Sequence, residues 1–294
     1  MRCISMKKAR LMIVASMAAF GTLAPFVRSI SVTSGELALY RAILASLLIG
    51  TYLLLTKQPI AFDKIKKELP LLLFSGAAMG LNWILLFEAY QYTTVSVATL
   101  SYYFAPVIVT VLCPILFKEK LTGKQVICFL MSTLGIVLIT GLGDLSGGSS
   151  HMIGILHALG AAVLYATVVL LNKFIQNVGG IHRTLLQFLA AVCVLIPYVA
   201  ATSGCTLGTM NGLGWVCLLV VGLVHTGVAY CMYFTALKDV PGQEAAILSY
   251  VDPLVAVLIS VTLLHESMTV MQMIGGLLIL GFTLWNEIEP KPKT

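Results

Sequence analysis

Short polar turns cut this chain into ten apolar blocks, each about as long as a bilayer is thick. A hydrocarbon core of about 30 Å needs roughly 20 helical residues. The blocks fall at 11–28, 35–55, 70–90, 95–117, 124–142, 152–174, 183–201, 213–235, 243–264 and 270–287. They do not alternate apolar with polar, which excludes half-buried strands. Backbone groups inside a bilayer must satisfy one another, and for single segments only helices do so. The composition agrees, with 59% hydrophobic and 10% charged residues, against roughly 25% charged in soluble domains. A soluble chain this poor in charge would expose large apolar patches. The fold class expected is all-α integral membrane, with ten transmembrane helices.

The net charge of +6 raises nucleic acid as a partner, and the placement of the charges argues against it. Arg2, Lys7, Lys8 and Arg10 precede the first block. Lys57, Lys64, Lys66 and Lys67, then Lys118, Lys120 and Lys124, then Lys173, Arg183, Lys238, Lys291 and Lys293 fall in turns on the same side. The alternate turns carry no Lys or Arg. The positive-inside rule then places both termini in the cytoplasm, with the lipid bilayer of the cell (inner) membrane as surroundings. The N-terminus resembles a signal peptide, but further spans follow at once, so a retained first helix is expected. No N-x-[ST] acceptor occurs, which favours a bacterial source. The seven cysteines stand singly without a C-x-x-C pair, and read as small buried hydrophobes. No metal or other cofactor is expected.

Shifting the second half back by 147 residues superposes the halves. Tyr103 meets Tyr250, Pro106 meets Pro253, Glu119 meets Glu266 and Thr122 meets Thr269. Proline followed thirteen residues later by glutamate, twice, is the most specific part of the match. The chain divides into a first repeat at 1–142, a linker at 143–151, a second repeat at 152–288 and a cytoplasmic tail at 289–294. Five spans per half is an odd number, so the second half lies inverted relative to the first. Inverted repeats suit carriers that hold substrate at the midplane.

These paired helices, each with a mid-helix proline and a terminal Glu near a Thr, resemble the drug/metabolite transporter superfamily, in particular its EamA-type ten-helix members. The resemblance covers essentially the whole chain. It implies a central cavity lined mainly by helices 1, 3, 4, 6, 8 and 9, and export of amino acids, other metabolites or toxic compounds, by exchange or with protons as coupling ion.

Several residues stand out for chemistry. Asp252 lies mid-helix in the ninth span, opposite Ala105 of the first half. A charge at that depth costs roughly 2.5 kcal/mol or more, so it should be paired, protonated or water-facing. It is read as a substrate or proton site, against a structural contact between helices. His225, opposite Ala78, is read either as a packing residue or as a proton-relay partner of Asp252. Asn82, Trp83, Phe20, Tyr165, Tyr102, Tyr103, Tyr230 and Tyr250 would give an inward-facing aromatic wall with a few polar groups. Pro106 and Pro253 free the carbonyls of Tyr102 and Ser249, as kinks, hinges or both. Arg41 and Glu88 read as an ion pair toward the outer side, with an outer gate or a carboxylate-binding Arg as the minority reading. Glu119 and Glu266 read as folding residues. Gly76-x-x-x-Gly80 allows close helix packing and leaves a homodimer open.

Soluble-enzyme signatures are absent, and no span carries the polar stripe of a channel. The expected function is therefore a secondary active transporter, an exporter of a small metabolite by alternating access, not an enzyme. An amino acid ranks first as cargo and an organic cation or drug second. A non-transporting receptor or scaffold, or a channel, would be the reading of another class.

Overall fold

The computed structural model describes residues 5–58, 65–117, 122–140, 148–178, 180–237, 239–240 and 242–288. Glu119 lies outside them. Ten helical spans follow one another: α1 (Met6–Gly21, continued by Leu23–Arg28), α2 (Ser34–Leu55), α3 (Leu69–Tyr92), α4 (Val95–Tyr102 and Ala105–Phe117) and α5 (Gly123–Thr140). The second set is α6 (Gly148–Phe174), α7 (Gly180–Thr202), α8 (Gly212–Leu219, Val220–Val228 and Ala229–Ala236), α9 (Gly242–Ser249 and Val251–Thr262) and α10 (Val270–Glu287). Eight contain helices long and apolar enough to cross a membrane; the other two hold shorter apolar helices, Gly123–Ile139 and Ile247–Thr262. The fold is all-α, and it is a membrane fold.

The interruptions of α4 and α9 follow from proline. Pro106 has no N–H to give the carbonyl of Tyr102, and the helix turns over at 103–104, where Phe104 N–H donates to Ser101 O at 3.1 Å. In α9, Tyr250 N–H donates to Ile247 O at 3.2 Å before the helix resumes at Val251. The two breaks stand at matching places in the repeats. So do the caps of α5 and α10. Thr122 exchanges hydrogen bonds with Gln125 (2.8 and 3.2 Å), and Thr269 does the same with Gln272 (3.0 and 3.2 Å). Each is a reciprocal capping box that satisfies otherwise orphaned N–H groups.

Packing obeys the same exchange. α3 packs on α6 as α8 packs on α1; α3 packs on α7 as α8 packs on α2; α4 packs on α6 as α9 packs on α1. The self-matched pairs α2–α7, α4–α9 and α5–α10 also touch. The halves are thus interleaved, and the space between them is common to both. At the α5–α10 crossing the backbones come so close that a Cβ on Gly135 would lie 2.6 Å from Gly275 O, and one on Gly275 would lie 2.5 Å from Gly135 O. Gly76 and Gly80 serve the same end inside the chain. Their faces lie against Gln187, Ala190 and Ala191 of α7, so this motif is used within the fold.

Candidate functional site

The interleaved halves enclose a cavity of about 450 Å3. Its walls come from α1 (Met17, Phe20), α3 (Asn82, Trp83), α4 (Tyr102, Tyr103), α6 (Tyr165), α8 (Tyr230) and α9 (Tyr250, Asp252), with Arg41 entering from α2. Both helix breaks open onto it, as in carriers whose interrupted helices present backbone to a midplane ligand.

Asp252 is partly open to the cavity. The hydroxyl of Tyr103 donates to its Oδ2 at 2.8 Å and also lies 3.5 Å from the Ser249 carbonyl that Pro253 frees. The phenol of one half's break therefore closes over the other half's break. Among the described residues, no ion pair engages Asp252. Arg41 is buried at 3% exposure. Its Nε donates to Thr226 Oγ1 at 3.0 Å, and its guanidinium lies 4.5 Å from the Trp83 ring centroid and 5.3 Å from that of Phe87. Thr226 is aimed there by the π-helical turn Val220–Val228, in which its own hydroxyl reaches back to Val221 O at 2.8 Å. Such turns are frequent at functional sites.

The rest of the wall is a chain of rings. Phe20 and Tyr230 lie 5.0 Å apart, Tyr230 and Phe188 5.3 Å, Phe188 and Trp83 5.2 Å, Tyr102 and Tyr165 5.5 Å, and Tyr103 and Tyr250 6.3 Å. Asn82 lines the cavity while its amide donates to Ala161 O at 2.6 Å. Pro106 lines the cavity, whereas Pro253 is buried and outside the lining.

Two sequence expectations are corrected. His225 does not meet Asp252: its Nε2 lies 3.1 Å from Thr22 Oγ1, its Nδ1 lies 3.3 Å from Val220 O, and Phe26 packs on its ring. The π-helical turn rotates it toward α1 and away from the cavity lining. Nor does Arg41 pair with Glu88 among the described residues, because Arg41 faces the cavity and Glu88 is not in its lining.

Gln187, Asn172 and Glu287 are among the polar cavity residues that the sequence reading did not single out. Gln187 donates to Ser75 Oγ at 2.6 Å and Asn172 Oδ1 at 2.7 Å, and Glu287 joins the same end of the cavity. Gln187 is the sole amide among the apolar residues of α7, a signal that was available. Glu266, read from the sequence as a folding residue, ion-pairs with Arg28 at 2.5 Å.

An aromatic cavity with opposite charges in its wall, set between interleaved repeats of membrane helices, defines a membrane transporter. The EamA-like transporter family model matches twice, over residues 7–141 and 152–286, and the chain belongs to that family. An uncharacterized transporter of Bacillus subtilis (strain 168), YxxF, is 30% identical over 247 residues, covering 84% of this chain and 78% of that one. An uncharacterized transporter of Clostridium kluyveri is 26% identical over 275 residues, covering 87% and 86%. A protein of known crystal structure superposes with a TM-score of 0.66 at 17% identity, covering 94% of this chain and 95% of its own; that likeness concerns the fold alone.

Proposed function

We propose that this transporter is a secondary active exporter of a small zwitterionic metabolite, an amino acid or a close relative, moved by alternating access through the central cavity. The observation that carries the reading is the presence of Asp252 and Arg41 in the wall of one cavity. The carboxylate suits an ammonium group. The guanidinium, held over Trp83 and Phe87, suits a carboxylate. The rings between them suit an apolar side chain. A cavity of about 450 Å3 lies within the usual range for small-molecule sites. The lysine-rich turns support cytoplasmic termini and a cell-membrane location, and a carboxyl at that depth supports protons as coupling ion.

The test is counterflow. Purified protein is reconstituted into liposomes loaded with mixed amino acids, and entry of labelled amino acid is followed from outside. Saturable exchange above protein-free liposomes supports the reading, and its absence from folded protein overturns the cargo. A second reading, efflux of organic cations, is favoured by the ring chain around Asp252. Exchange of a labelled quaternary amine, without amino acid exchange, would establish it.

A further inference from the structure

Two voids approach each other and share no lining residue. The central cavity reaches Tyr90, Thr99 and Ala256. On the face opposite the start of α1, a hollow of about 330 Å3 is lined by Arg28, Thr93, Thr94, His151 and Glu266, among others. Tyr90 and Thr93 are three residues apart on one side, and Thr99 and Thr94 five apart on the other. At about 1.5 Å per helical residue, roughly 5–8 Å of protein separates the two spaces.

A single polar layer fills that gap. Beyond the end of α9, His265 at φ 53° is a left-handed residue that turns the chain back, so that Glu266 N–H donates to Ser260 O at 3.0 Å. The Glu266 carboxylate then faces inward. It accepts from Val95 N–H at 2.8 Å, takes the hydroxyl of Ser260, and pairs with Arg28 at 2.5 Å. Arg28 also donates to Tyr90 O at 3.2 Å and Thr93 O at 3.1 Å. One ion pair thus ties α1, α3, α4 and α9 together at one point. Beneath it Ser96 N–H donates to Ser260 Oγ at 3.2 Å, while Ser96 Oγ is buried without a hydrogen-bond partner among the described residues.

Two features argue that this layer is more than a folding device. Glutamate recurs in both halves, but its partners do not: Arg28 matches Ile175 and Ser260 matches Cys113 in the repeat. A closed seam that buries the Ser96 hydroxyl unsatisfied is also costly, and that group regains water when the seam parts.

We infer that the Arg28–Glu266 pair is the latch of the far-side gate, and that the Ser96–Ser260 contact between α4 and α9 is the seam that opens. Opening joins the hollow to the cavity and gives Asp252 access to that side. The inference rests on the alternating-access reading, and its deciding measurement, the labelling, requires no substrate.

Ser96→Cys is introduced, the protein is placed in sealed vesicles, and a membrane-impermeant thiol reagent is applied to the far face. Labelling at position 96 is read by mass spectrometry. A closed state labels slowly. Adding Arg28→Gln or Glu266→Gln should speed labelling about tenfold or more, as a minor open state becomes common. Glu266→Gln also disturbs the cap of α4, so Arg28→Gln in protein that elutes as one species is the deciding variant. Unchanged labelling in that variant overturns the latch. As an independent arm, a disulfide between Ser96→Cys and Ser260→Cys should stop exchange of whichever substrate counterflow identifies, reversibly on reduction. Exchange at the parent rate with the disulfide formed overturns the seam. A failed counterflow assay leaves the labelling result standing, so the two readings fail separately.

Discussion

Tyr103 and Asp252 come from the breaks of opposite repeats, and the phenol of one donates to the carboxylate of the other at 2.8 Å. By the repeat, Tyr103 corresponds to Tyr250 and Asp252 to Ala105. The scaffold is thus symmetric and the charge is not. An asymmetric ligand group placed on a symmetric frame can be stabilised from one side only, and Tyr103 supplies that support.

If Asp252 carries a proton or holds an ammonium group, Asp252→Asn should abolish gradient-driven transport at unchanged yield. Flux driven by a pH difference in that variant would remove Asp252 from the mechanism. Tyr103→Phe should have the milder effect. Loss of a hydrogen bond to a charged group is worth about 1.5–3 kcal/mol, so a rise in apparent KM of roughly tenfold or more is expected. Both are read by initial-rate uptake in proteoliposomes at several pH values.

Arg41 should be intolerant even of lysine. Its planar guanidinium lies over Trp83 and Phe87 while Nε holds Thr226, a geometry that a compact ammonium does not reproduce. Arg41→Lys should weaken carboxylate-bearing substrates about tenfold and spare substrates without a carboxylate. Since Arg41 and Glu88 make no ion pair among the described residues, the yield losses of Arg41→Gln and Glu88→Gln should add. Recovery in the double variant would restore the pairing that the structure does not show.

The spans were legible because bilayer thickness imposes a length that soluble packing does not, and the breaks were legible because proline lacks a donor. Asp252 stood out by the same logic, since charge is costly in hydrocarbon. What the sequence hid was rotation. Whether Arg41 faces Glu88 or Trp83, and whether His225 faces Asp252 or Thr22, depends on the azimuth of each helix. A π-helical turn at Val220–Val228 shifts that azimuth without leaving a composition signal. Arg28 was hidden for a different reason. It ends a span, where a basic residue usually reads as an anchor. The available clue was that it borders a turn on the side that otherwise lacks positive charge, where a cation needs a specific partner.

The α5–α10 crossing should be sensitive to a single methyl group. A Cβ on Gly275 would meet the Gly135 carbonyl at 2.5 Å and the backbone N of Ile139 at 3.2 Å. Neither is the flexible end of a side chain, so the helices themselves must separate. Gly275→Ala is expected to cost about 1–3 kcal/mol, and Gly275→Leu should prevent recovery of folded protein. Thermal unfolding in detergent measures the first and size-exclusion yield the second. A comparison change at Gly281, where nothing lies within 4 Å of an added Cβ, should be silent.

Glu68 provides the acid limb of stability. It precedes α3 and is nearly inaccessible. Burial pushes its carboxyl up, but the backbone amides of Gln176 and Asn177 and the Asn177 side chain donate to it at 2.8–3.2 Å, with the Arg183 guanidinium nearby. The net effect holds it below the ordinary carboxylate range. A carboxyl whose folded pKa is depressed stabilises the fold above its unfolded pKa, near 4.5. That contribution fades as pH falls through the unfolded value and is gone below the folded one. Melting temperature should therefore drop on acidification below about pH 5, and Glu68→Gln should be less stable at neutral pH with a shallower acid limb. The reason is positional: Glu68 fastens the start of α3 to the α6–α7 turn, and the neutral amide accepts those N–H groups more weakly. An unchanged acid limb in Glu68→Gln would assign the pH dependence to other carboxylates.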